Sequence, residues 1–245
     1  MGLFNSYQKE GKGVSKDQKT PRLILFFQIY FRKFWKLILV NLMYVLFCLP
    51  IVTIGPATAG MTKILRNFAR EEHAFLWGDF IETFKKNFKQ AFLVSLLELL
   101  VFGFLILDLL SVFYLPNQLM KILSLAAIAF SLTVCVFMHY YIYNMMVTFH
   151  LNIRQLLKNA FIFCWAGFFR NLFLTIVIAG VAYLAACLNV MGFLFVMLFL
   201  YFSFCGLLIN YMVNPLIKKL MIDGYDPETG ERIEDEKYEG FEDVE

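Results

Sequence analysis

From Leu172 to Leu216 the chain carries no charged side chain. About 20 helical residues cross the roughly 30 Å apolar core of a bilayer, so this run is too long for one helix. It breaks naturally at Asn189 to Gly192, which gives two spans joined by a tight turn. Three other segments, Phe34 to Thr53, Ala91 to Leu115 and Ile122 to Phe149, are apolar over lengths that also suit a crossing. With 60% hydrophobic residues, 17% charged residues and a mean hydropathy of +0.66, the composition lies outside that of water-soluble domains. The expected fold is an all-α, polytopic transmembrane helix bundle with five long spans.

The flanks divide the chain into three parts. Residues 1–22 are polar and basic and read as a flexible lead-in; residues 23–220 form the transmembrane helical domain; residues 221–245 read as an acidic, disordered tail. Leu23 to Lys36 mixes aromatic residues with Arg32, Lys33 and Lys36, as an interfacial helix does ahead of a span. Ala57-Thr58-Ala59 resembles a signal cleavage site, but the basic region before it is too long and more spans follow. Met1 to Ser6 fits a myristoylation pattern of the kind that short sequences match by chance.

Pro50, Gly55, Pro56 and Gly60 interrupt the chain after the first span, and prolines lack the donor a helix interior needs. Pro56 is suited to opening a short helix that runs to about Arg70. If that helix returns to the side it came from, 21 of the 22 Lys and Arg residues fall on one side and Lys121 alone on the other. Positive charge collects on the cytosolic side, so six crossings with both termini cytosolic are favoured. The stretches from Phe80 and from Leu151 each place a basic, aromatic, amphipathic segment before a span, without enough identity to read as a duplication.

The net charge of +3 hides a division, since residues 1–222 carry 20 Lys and Arg against 8 Asp and Glu, and residues 223–245 carry 2 against 11. The cations lie beside apolar spans, where anionic membrane lipids answer them better than nucleic acid would. Cys48, Cys135, Cys164, Cys187 and Cys205 form no CxxC pair and read as small buried hydrophobes. His73, His139 and His150 have no metal-ligand spacing, so no metal or other cofactor is expected. No nucleotide-binding, metalloprotease or serine-hydrolase motif occurs, and the polar segments are too short for a catalytic domain, so the chain reads as a non-enzyme.

Ionisable groups within a span are the default candidates for function. Glu98 and Asp108 lie in the span from Ala91 to Leu115. If that span and the next turn near Leu115 to Lys121, Glu98 and His139 stand level, with Tyr140 and Tyr143 nearby. Such a group is either interhelical glue or the start of a proton or solute relay, and one pair falls short of a relay. Asn41, Asn144, Asn189, Asn210 and Asn214 read first as helix-to-helix hydrogen bonds and second as solute contacts.

The core Thr53-Ile54-Gly55-Pro56-Ala57-Thr58-Ala59, with FKKNFKQ from Phe84 and the Tyr-rich and basic block from Tyr140, resembles the YesL family of bacterial membrane proteins, a domain of unknown function. The resemblance covers about residues 23–220. It implies a multi-pass protein of a Gram-positive cell membrane, often encoded beside carbohydrate ABC transporters and polysaccharide-degrading enzymes, and it supplies no catalytic residues. The expected role is an accessory to carbohydrate uptake that contacts ABC permease subunits or a membrane sensor. The alternative is a stand-alone secondary transporter or channel for a small solute.

Overall fold

The computed structural model describes residues 22–222; the expected flexible lead-in with its myristoylation-like start, and the acidic tail, lie outside the described residues. Among the described residues there are helices and turns and no strand. The helices are α1 (Arg22–Arg32), α2 (Phe34–Phe47), α3 (Ile54–Ala69), α4 (Leu76–Lys86), α5 (Phe88–Ser111), α6 (Gln118–Met146), α7 (Ile153–Ala166), α8 (Phe168–Ala186), α9 (Val190–Val196) and α10 (Phe202–Ile217).

Three units of one form make up this order. Each opens with a short helix that bears cations (α1, α4 or α7), bends at a single residue, runs on as an apolar helix (α2, α5 or α8) and returns through α3, α6 or α9 and α10. The bends fall at Lys33, Asn87 and Gly167, with φ/ψ of −106/13, −100/8 and −106/18. The hydrogen-bond ladder runs straight through them. Lys33, Asn87 and Gly167 donate to Ile29, Thr83 and Phe163, and accept from Leu37, Ala91 and Asn171, all between 2.8 and 3.0 Å. The six flanking partners are all buried, so each bend is fixed by packing on both sides. A phenylalanine follows every bend: Phe34, Phe88 and Phe168. The sequence pattern pairs the openings of the second and third units and marks that of the first only as an interfacial helix ahead of a span.

Four stretches are long and apolar enough to cross a membrane: Phe88–Tyr114, Gln118–Met146, Phe168–Ala186 and Val190–Met221. The expected span from Phe34 to Thr53 is different. Its helix α2 stops at Phe47 after 14 residues, a rise of about 21 Å at 1.5 Å per residue. The Thr53 hydroxyl closes the turn by donating to the carbonyls of Phe47 at 2.6 Å and Pro50 at 2.7 Å. α3 then begins at Ile54, so Pro56 sits third in its first turn, where a missing N–H costs no helical bond. The tip residues Ile51 and Val52 line one cavity with Leu96, Leu99 and Phe102 from the middle of α5. By length α2 and α3 fall short of a full crossing, and they form a hairpin ahead of the four helices that are long and apolar enough to span. The hairpin still returns, so both ends of the described chain remain on the basic side.

That arrangement predicts the outcome of a labelling experiment. In a protein freed of its native cysteines, Cys at Asn117 is expected to react with an impermeant thiol reagent added outside intact cells, and Cys at His73 or Gln155 is not. Labelling at His73 would mean that α3 does not return.

Packing is uneven along the spans. From Leu99 to Val136 only Val112 is buried, and between Leu174 and Ser203 only Ala185. The fully buried large side chains, Phe68, Phe80, Tyr141, Leu65 and Leu156 among them, gather toward the basic end. α9 joins α10 through a π turn at Met197–Tyr201, whose wider spacing displaces carbonyls from the helical ladder. Asn41, fully buried on α2, answers them: its amide donates to Met197 O at 3.0 Å and Leu198 O at 2.6 Å, and its oxygen accepts from Ser203 N at 2.8 Å.

Candidate functional site

The turn between α5 and α6 falls where the hairpin count requires, and Glu98 meets His139 across it. His139 Nδ1 lies 3.0 Å from Glu98 Oε1, and the Tyr143 hydroxyl donates to Oε2 at 3.2 Å. Tyr143 stands one helical turn beyond His139, so both reach one carboxylate. Tyr140 instead reaches α8, with its hydroxyl 2.9 Å from Thr175 Oγ1. Asp108 lies ten residues beyond Glu98 on α5, about 15 Å along the helix axis, and forms no ion pair among the described residues. The structure therefore joins Glu98 to His139 and leaves Asp108 apart.

The cluster borders a cavity of about 510 Å³ between α2, α3, α5, α6 and α10. Its walls are mostly apolar, with Phe92, Met61, Phe202 and Ile209 among them. Asn144 adds an unusual feature. It is 1% exposed and its amide donates to Asn210 Oδ1 at 2.7 Å, but its own Oδ1 has no partner. A buried acceptor without a donor costs about 1–3 kcal/mol, and a ligand carrying a donor would relieve it. Chemically, the site offers acceptors at Glu98 and Asn144 within an apolar chamber, which suits a small amphipathic solute with hydroxyl or amine groups.

The motif residues are built into the wall beside it. Gly55, Pro56, Ala57, Thr58 and Ala59 are all buried on α3, while Ile54 is exposed at its start. A Cβ at Gly55 would stand 2.2 Å from the Ala91 carbonyl oxygen, so the glycine lets α3 lie directly on α5. Thr58 Oγ1 donates to Ile54 O at 2.8 Å and faces the Tyr44 hydroxyl at 3.4 Å. Small residues at such positions are how membrane helices approach closely.

The other asparagines divide by role. Asn41, Asn144 and Asn210 make contacts within the bundle, the Asn189 side chain caps α9 by accepting from Gly192 N at 2.8 Å, and Asn214 has no partner for either amide atom. Among the described residues all five cysteines are free, and no three His, Cys, Asp or Glu side chains gather as a metal site would need. Sequence reasoning missed Tyr44 and the unpaired oxygen of Asn144, because both matter only through helices distant in sequence.

If the Glu98 to His139 contact is glue of the ordinary kind, a double-mutant cycle with Glu98→Leu and His139→Leu is expected to give a coupling energy of about 1 kcal/mol. Reversible unfolding in mixed micelles measures it. A coupling near zero would show that the contact adds nothing to stability.

Residues 37–109, from α2 through most of α5, match the family model described as "Protein of unknown function, DUF624". No curated protein and no solved structure matches the chain. The fold is that of a multi-pass, all-α membrane bundle, and the match to a domain of unknown function covers the α2–α3 hairpin, α4 and most of α5.

Proposed function

We propose that the protein is a YesL-type accessory to carbohydrate uptake in the plasma membrane of a Gram-positive bacterium, acting through contact with permease subunits or a membrane sensor and not as an enzyme. The observation that carries this reading is the uneven packing. The far halves of α5 and α6 bury almost nothing within the chain, and Leu100, Phe104, Leu107 and Leu123 all face outward. A Cβ added at Gly103 would meet nothing within 4 Å. Helices associate in lipid by close van der Waals packing, so this surface is suited to the helices of a second membrane protein. A photoreactive residue at Phe104 or Leu123 tests it in native membranes: adducts with permease subunits are expected, together with no solute flux by the protein alone in liposomes.

The cavity beside Glu98 favours a second reading, a stand-alone transporter of a small solute. Flux in liposomes, lost in Glu98→Gln, would establish that reading. Crosslinks to lipid alone would remove the accessory one.

A further inference from the structure

A second pocket, of about 490 Å³, opens at the basic end where the start of α1 meets the ends of α3 and α10. Among the described residues Arg22, Arg70 and Lys218 line it, with Glu72 as the one carboxylate. Among the described residues none of the three cations forms an ion pair. The pocket thus carries two positive charges in excess. Part of that charge has a structural account, since cations complement the carbonyl ends of α3 and α10.

Asn214 has no such account. It lines the same pocket, is 7% exposed, and among the described residues neither its Nδ2 nor its Oδ1 has a hydrogen-bond partner. A buried amide with both atoms unmatched is costly, and here it stands among three cations. The pocket is also braced: the Tyr211 hydroxyl donates to Arg22 O at 2.8 Å and ties α1 to α10. Arg170 does the same from α8, donating to Met212 O at 3.0 Å.

We propose that this pocket binds a phosphate monoester, with Arg22, Arg70 and Lys218 holding the phosphate and the Asn214 amide bonding to it and to a hydroxyl of the ester. A phosphate monoester carries about −1.5 to −2 charges at pH 7, which matches the excess. Guanidinium groups meet phosphate oxygens in pairs. Nδ2 can donate to a phosphate oxygen while Oδ1 accepts from a neighbouring hydroxyl, so both orphaned atoms are answered by a polyol phosphate. The group could arrive on a soluble ester or on a lipid headgroup at the bilayer surface.

The test uses the full-length protein in a neutral detergent. Calorimetry with glycerol 3-phosphate, and with glycerol as the uncharged control, reads the soluble source; native mass spectrometry after exposure to lysophosphatidic acid, which keeps a free hydroxyl beside its phosphate monoester, or to lysophosphatidylcholine reads the lipid source. One of the two phosphate ligands is expected to bind and its control is not. Arg70→Gln and Asn214→Leu are each expected to weaken binding about tenfold or more, since hydrogen bonds to charged groups are worth about 1.5–3 kcal/mol. Lys121→Gln, near the start of α6 at the far end of the bundle, is expected to leave it unchanged. Calorimetric binding without retained lipid assigns a soluble ester, and retained lysophosphatidic acid without calorimetric binding assigns a headgroup. Arg70 and Lys218 are not part of the buried core, so Arg70→Gln and Lys218→Gln carry the test if Asn214→Leu does not fold. No binding of either phosphate ligand, or binding undiminished in the variants that fold, overturns the proposal.

Discussion

Alanine at Gly55 is expected to destabilise the bundle by about 3 kcal/mol, toward the upper end of what overpacking costs. The added Cβ would stand 2.2 Å from the Ala91 carbonyl oxygen and 2.6 Å from Ser95 Oγ. The serine can turn away; the carbonyl belongs to the backbone of α5 and cannot. Relief therefore requires α3 to lift off α5, which opens the wall of the Glu98 cavity. Gly103→Ala and Gly180→Ala are the matching controls, because a Cβ at either meets nothing within 4 Å. There alanine is expected to be neutral or to stabilise by up to about 1 kcal/mol through helix propensity. Denaturant titration in mixed micelles measures all three. Equal stability of Gly55→Ala and Gly103→Ala would mean that the α3 to α5 contact is looser than the backbone positions require.

Leucine at Asn41 is expected to cost on the order of 3 kcal/mol, because it orphans three backbone groups together, the buried Ser203 N–H and two partly buried carbonyls. The side chain has nearly the same size, so volume is not the issue. What is lost is the answer to Met197 O, Leu198 O and Ser203 N at the π turn. The same titration reads the effect, with Asn189→Ala for comparison. That residue caps the exposed start of α9, and a lost cap costs about 1 kcal/mol. If Asn41→Leu cost no more than the cap, the π turn would be satisfying its own carbonyls by rewinding.

Hydropathy and turn chemistry made much of this fold legible. The break at Asn189, the α5 to α6 turn and the pairing of Glu98 with His139 follow from counting residues on either side of a tight turn, because two antiparallel helices rise at the same rate. The expected first span, Phe34 to Thr53, overruns its helix for a related reason. Apolar length continues through Pro50 into Thr53, but the helix ends at Phe47, and hydropathy does not register where a backbone turns. Asp108 shows the limit in the other direction: its position in a span marked it as a candidate, and the fold gives it no ion-pair partner among the described residues. The phosphate pocket was not legible at all. Arg22 opens the first unit, Arg70 closes it and Lys218 ends the third, and no spacing along the chain announces that these ends converge.

The three bent units also bear on how the chain enters a membrane. Every unit begins and ends on the basic side, so each can be delivered to the bilayer as a closed loop once its return helix has left the ribosome. The cations of α1, α4 and α7 then stop at the surface and never pass through, which spares about 2.5–3.5 kcal/mol for each charge that would otherwise reach the bilayer centre. Only the second loop has to carry a cation across, at Lys121. The first loop, built on the 14 residues of α2 and the 16 of α3, carries none across and is the shortest. Biogenesis can proceed unit by unit, with no rearrangement of earlier helices when later ones arrive.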